Sequence, residues 1–231
     1  MVENFSKPEK RSADSDSWCV EWFGSQGDFI AGQSTNPVSL NRFAGLESLY
    51  AVGPLEKGRG EVSIFDSLTL ISQVNEAKVD VLAGHDYHAG FLVYAIVENW
   101  RRATVRESVG KEQRLEEQLL PLAVESGIDI DRPFPFLVHG HATQALFHVL
   151  CNQSDEPYGP EIHEKSKVRF QVVEEAVEII GFYSRCHRGV FTPRDSDFHM
   201  HVRTLDNHVS GHLESFAFNQ GITLYLPADG R

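Results

Sequence analysis

His199 and His201 are two imidazoles separated by one residue, in the segment DFHMHVRT. There Phe198, Met200 and Val202 alternate with His199, His201 and Arg203. Such alternation marks a β-strand with one apolar and one polar face. Residues i and i+2 of a strand share a face at about 6.6 Å, so both rings can converge on one ion. His212 follows in GHLESF, with Leu213 on the opposite face, and Asn207–Gly211 supplies a turn that would fold the segments into a hairpin. Three neutral imidazoles around an open fourth position form the shell of a catalytic zinc. The same pattern also suits an ordinary polar strand face, and His208 between the segments reads as a turn residue.

The chain has eleven histidines in all. His139-Gly140-His141 is a poorer pair, because Gly140 signals a turn and not a continuing strand. His85 and His88 have ligand-like spacing in a glycine-flanked connection, which suits a pocket wall or a surface loop. His163 and His187 sit among charged residues and are expected to be solvated. HExxH, CxxC, GxGxxG, P-loop and GxSxG patterns are absent. A cupin would place a glutamate a few residues after the histidine pair, and none occurs before Glu214. Cys186 and His187 are adjacent, so on a strand they would face opposite ways and form no dyad.

The elements that must position these residues are mostly strands. Glu61–Ile71, Lys78–Ala83, Gly90–Val97 and Phe134–Val138 are rich in branched and aromatic residues. Lys167–Val173, Ala176–Tyr183, Phe198–Arg203, Gly211–Phe218 and Ile222–Leu226 fill the C-terminal third. Gly110–Ser126 predicts a helix with Leu115, Leu119, Leu122 and Ala123 on one face, kinked or ended by Pro121. Ser39–Leu46 predicts a shorter helix. Residues 1–17 are polar and mixed in charge and read as a flexible N-terminal arm, with no targeting signal. Residues 18–231 read as one domain, with a soft subdomain boundary at the turn-rich Asn152–Gly159.

Composition bounds the function classes. The 231 residues carry a formal net charge of −12, which argues against nucleic acid or an anionic membrane surface as partner. No apolar run is long enough to span a membrane as a helix. Three cysteines, Cys19, Cys151 and Cys186, are too few for a disulfide scaffold and fit a reducing compartment, the cytoplasm.

The segments Gly181-Phe-Tyr-Ser184, Phe198-His-Met-His201 and Ser210-Gly-His-Leu-Glu-Ser-Phe216 together resemble the acetolactate decarboxylase family. That family has a GFYSP-like strand, an HxH strand and a third zinc histidine in a GGHVLDF-like strand. Gly60-Glu61 followed by Phe65-Asp66 looks like its GE…DG strand, and Asp28-Phe-Ile30 resembles its GDFG-like segment. The resemblance spans roughly residues 18 to 226 and is specific over 181–216. It implies an α+β fold of mixed, mostly antiparallel β-sheets in two tightly associated subdomains with few helices. It also implies Zn²⁺ on His199, His201 and His212, Glu61 as the active-site acid/base, a small-molecule substrate and, by analogy, a homodimer.

The substrate shell departs from the family. Aligning the family's IDG turn on Val138-His139-Gly140 places His148 where an arginine is expected, and a histidine is no bidentate carboxylate clamp. Pro54 stands where the family has a threonine, and its glutamate from a C-terminal tail has no counterpart up to Arg231. His148 alternates with Leu146 and Leu150 and is either a core histidine satisfied by a backbone carbonyl or a contact for the substrate. Arg185, Arg188 and Arg194, between GFYS and HMH, could each reach an anionic ligand.

Three functions are therefore expected. The first is a zinc-dependent decarboxylase of acetolactate or a related 2-hydroxy-3-oxo acid, through a metal-stabilised enediolate protonated by Glu61. The second is a diverged zinc lyase or isomerase for a larger metabolite. The third is a metal-holding binding protein without catalysis.

Overall fold

The computed structural model describes residues 18–228; the arm expected over 1–17 lies outside them. In chain order the N-terminal half contains β1 (Val20–Phe23), α1 (Gln26–Ile30), β2 (Val38–Ser39), β3 (Leu49–Pro54), β4 (Glu61–Phe65), β5 (Leu68–Asn75), β6 (Lys78–Ala83), β7 (His88–Ala89) and β8 (Leu92–Ile96). After these come β9 (Trp100–Val105), α2 (Glu112–Glu125), β10 (Phe134–Leu150), α3 (Pro160–Ser166), β11 (Lys167–Tyr183), β12 (Phe198–Thr204), β13 (Ser210–Ala217) and β14 (Ile222–Pro227).

Twelve strands build two six-stranded sheets, in the orders β1-β8-β3-β4-β5-β6 and β11-β12-β13-β10-β14-β9, and β2 pairs with β7 in a two-stranded sheet. All pairings between their strands are antiparallel. β10 also pairs with β11, so β10, β11, β12 and β13 close a ring of pairings. Under this ring, α2 buries Leu115, Leu119 and Ala123 against Phe134, Phe136 and Tyr183. A second cluster joins the sheets, with Val52, Phe65 and Val93 of one against Leu137, Ile180 and Phe182 of the other.

Several local expectations change. The segment expected as one strand over Glu61–Ile71 is a hairpin, because Asp66 and Ser67 take φ of 46° and 67°, the left-handed pair that a tight two-residue turn requires. The two strands expected over Lys167–Val173 and Ala176–Tyr183 are one strand, β11, with Glu174 at φ 51° inside it. Gly140 is not a turn: it lies within β10, where a Cβ would meet the Phe218 ring at 2.9 Å and Ile222 at 3.0 Å. The glycine is there for close packing, and a period-two pattern runs straight through it. Pro121 does not end α2, which continues to Glu125; the backbone bond lost at proline is offset by the buried Leu115–Leu119–Ala123 face. Over Ser39–Leu46 only a 3₁₀ turn forms, Leu40–Phe43.

Gly181 shows how tightly the strands carrying the site are seated. It pairs with Met200 of β12 and Phe136 of β10, and a Cβ there would lie 2.1 Å from the Phe136 ring. Overpacking of this kind costs about 1–3 kcal/mol. Gly181→Ala is expected to lower Tm by roughly 2–10 °C, whereas Gly84→Ala, with nothing within 4 Å, should leave it near the wild-type value. Equal melting curves for G181A and wild type would show that the ring is looser than described.

Candidate metal centre

The histidine hairpin forms as expected. His201 of β12 and His212 of β13 are cross-strand partners, and His148 of β10 is the partner of His212 on its other side. Three adjacent strands thus carry a row of histidines. His199 joins His201 on the same face of β12, with ring centroids 5.3 Å apart, and each lies 5.0 or 5.3 Å from the His212 ring. One nitrogen from each of these three residues lies within 4.8 Å of the others.

The nitrogens facing away are held. His199 Nδ1 donates to the Phe191 carbonyl oxygen at 2.7 Å. His201 Nδ1 lies 2.8 Å from Ser63 Oγ, which also accepts from Ser210 Oγ at 2.9 Å. Ser63 comes from β4, so the other sheet braces the ring. The Phe191 carbonyl fixes the His199 tautomer and leaves its Nε2 for an ion, and Ser63 holds the orientation of the His201 ring. His201 Nε2 is fully buried and has no hydrogen-bond partner among the described residues. A buried nitrogen in that state is costly unless a metal takes its lone pair.

The electrostatics suit such an ion. Burial pushes His199 down to about 4, against its bond to the Phe191 carbonyl. Burial holds His201 and His212 well below the usual imidazole range, reinforced by the neighbouring histidines. All three are neutral at physiological pH, the form in which imidazole binds metal. The donor set and the orphaned nitrogen fit a tetrahedral zinc with one position open.

Glu61 faces this cluster from β4. It is 2 % exposed, with carboxylate oxygens 3.9 Å from His201 Nε2 and 3.9 Å from His148 Nε2. Burial raises its pKa well above the ordinary carboxylate range, against a bond from the Leu150 backbone and the charge of Lys167.

His148 is buried, but a backbone carbonyl does not satisfy it. Its Nδ1 bonds Glu214 Oε1 at 2.9 Å, and the other Glu214 oxygen accepts from Arg169 Nε at 2.9 Å. Burial lowers the His148 pKa, and the Glu214 bond opposes this. Glu214 stands two residues after His212 on β13, so the period-two rule that pairs His199 with His201 also points to it. Ser63 stands in the same relation to Glu61.

Glu61, His148, His199, His212 and Glu214 line a cavity of about 430 Å³ together with Phe29, Phe91, Leu150, His163, Lys167 and Arg194. Two expectations change here. Arg185 and Arg188 are not among the lining residues. Their guanidiniums pair with Glu116 at 3.6 Å and Asp197 at 2.7 Å, and Arg194 is the arginine of that connection that reaches the cavity. His163 is partly buried and not simply solvated: its Nδ1 lies 2.8 Å from the Tyr158 hydroxyl. His187 is also partly buried, bonding Ser184 at 2.8 Å and stacking on Phe191. His139 and His141 face Glu178 and Glu174, His85 bonds Thr69, and none of these reaches the centre.

No protein-family model and no curated protein sequence matches the chain. Solved structures do. Alpha-acetolactate decarboxylase from Bacillus subtilis strain 168 superposes with a TM-score of 0.74 at 12% identity, over 92% of this chain and 86% of that one. The acetolactate decarboxylase of Bacillus subtilis subspecies spizizenii gives 0.73 at 13%, over 90% and 85%. A Staphylococcus aureus protein of unknown function, described as similar to alpha-acetolactate decarboxylase, gives 0.66 at 14%, over 90% and 85%. The fold of this chain is the acetolactate decarboxylase fold.

Two variants test the centre by zinc affinity, measured with a chromophoric competitor. His201→Ala should abolish stoichiometric zinc binding. Ser63→Ala removes only a partner of a ligand and should weaken binding by roughly 10–100-fold. Unchanged affinity in both would mean that these rings are not a zinc shell.

Proposed function

We propose that this chain is a zinc-dependent carbon–carbon lyase that decarboxylates acetolactate or a related 2-hydroxy-3-oxo acid. The observation that carries the reading is the placement of a buried, protonatable Glu61 against three neutral imidazoles that share one focus. A binding protein without catalysis has no need of a protonatable carboxyl aimed at the open position of a metal shell.

Zinc held by His199, His201 and His212 would supply a Lewis acid that accommodates the negative charge left when carbon dioxide departs. The remaining work falls to the chain. Glu61 sits over the focus and, in its protonated form, can return a proton to one face of the substrate carbon, which fixes stereochemistry. Glu214 holds His148 so that Nε2 points toward Glu61, orienting the acid. Phe29, Phe91 and Leu150 line the wall of the cavity and keep bulk water from the reacting carbon.

A second reading keeps the same centre and changes the substrate to a larger metabolite. The cavity favours it, since about 430 Å³ is more than a five-carbon acid fills. So does His148, which stands where the family resemblance implies an arginine.

The test is release of acetoin and carbon dioxide from racemic acetolactate by zinc-loaded protein. Glu61→Gln should retain zinc and lose about 10²–10⁴ in kcat. Full activity in E61Q would remove the assigned acid. A wild type that holds stoichiometric zinc and does not turn over acetolactate would contradict the first reading and favour the second, in which case His148→Arg should raise acetolactate turnover.

A further inference from the structure

The cavity lacks the arginine that the resemblance implies, yet it is not without a fixed cation. Lys167 and Arg194 both line it. Arg194 is exposed on the connection before β12, but the Lys167 side chain is only 20% exposed. The β10–β11 register explains its direction. Lys167 is the cross-strand partner of Leu150, and Arg169 is the partner of His148. Paired residues project from the same side of a sheet, so both cations share the face of His148 and Leu150. Arg169 is taken by Glu214 at 2.9 Å, is 46% exposed and does not line the cavity.

Lys167 differs from it. Its Nζ bonds Glu164 at 2.7 Å, and that glutamate is 61% exposed. An ammonium has three N–H donors, so one bond anchors the head and two donors remain. Its charge is felt by Glu61, His148, His163 and His212, which line the same cavity. Two of the other acidic groups that line the cavity are engaged, Glu214 by His148 and Arg169, and Glu112 by Ser196 at 2.9 Å, and Asp195 lies beside Arg194 on the exposed connection.

From this placement we infer that Lys167 is the carboxylate-recognition residue of the cavity, supplying the fixed positive charge that His148 does not. The inference rests on the reading that the substrate is an anionic 2-hydroxy acid, and it assigns the selection of that anion to β11. Lys167 touches the leaving carboxylate and anchors it, while Glu61 remains the acid.

The test uses two ligands that differ only in charge, 2-hydroxy-2-methylpropanoate and its carboxamide, titrated calorimetrically into zinc-loaded protein. Wild type should prefer the carboxylate by roughly ten- to a hundredfold, the range of one charge-assisted contact. Lys167→Met should erase that preference without changing amide affinity, zinc content or Tm, and Lys167→Arg should restore part of it. A carboxylate preference that survives in K167M, or is missing in wild type, overturns the assignment. Acetolactate turnover recorded alongside separates the two claims. A Lys167-dependent preference without acetoin release leaves the anion site standing and removes the decarboxylase reading. Acetoin release with the same KM in wild type and K167M does the reverse.

Discussion

The arrangement depends on satisfying nitrogen atoms that have been taken out of water. Three imidazoles packed about one point lose hydration on burial, and each needs a partner on both sides of its ring. The outward side is met by the Phe191 carbonyl for His199 and by Ser63 for His201. The inward side is left for a metal, and the unpartnered His201 Nε2 marks it. Because Ser63 belongs to one sheet while His201 and Ser210 belong to the other, satisfying this nitrogen also ties the sheets together. A metal bound there would therefore be thermodynamically linked to the docking of the two sheets, as ligands that bind only the folded state must be.

Around that centre, the same burial acts in opposite directions on acid and base. It lowers the pKa of the histidines, leaving them in the neutral form that metals bind, and it raises that of Glu61. Two cations on one face of β11 then divide the anions between them. Arg169 neutralises Glu214, which fixes His148, and Lys167 is held at the cavity by Glu164. A histidine in place of an arginine thus need not leave the cavity without positive charge, since charge on a neighbouring strand can serve the same volume.

Much of this was legible in the sequence because strand periodicity is rigid. The alternation Phe198-His199-Met200-His201-Val202 could place the two rings on one face, and the turn before Ser210 could bring His212 beside them. The same rule places β6 at Lys78–Ala83, and mostly antiparallel sheets with few helices follow from the family resemblance. What stayed hidden depended on pairing across strands distant in sequence. Nothing local says that Arg169 opposes His148, that Lys167 opposes Leu150, or that Ser63 reaches His201 over 138 positions. Gly140 misled for a related reason: its small size answers to Phe218, far along the chain, and not to its own backbone. Arg185 and Arg188 were drawn to acids beside them, which sequence order cannot rank against a cavity.

The most direct measurement is X-ray absorption at the zinc edge on the loaded wild-type protein. The account predicts three imidazole nitrogens at about 2.0–2.1 Å and one further light donor completing a four-coordinate shell. A shell with a sulfur donor or a fourth imidazole, or zinc bound through surface carboxylates with no imidazole scattering, would contradict it.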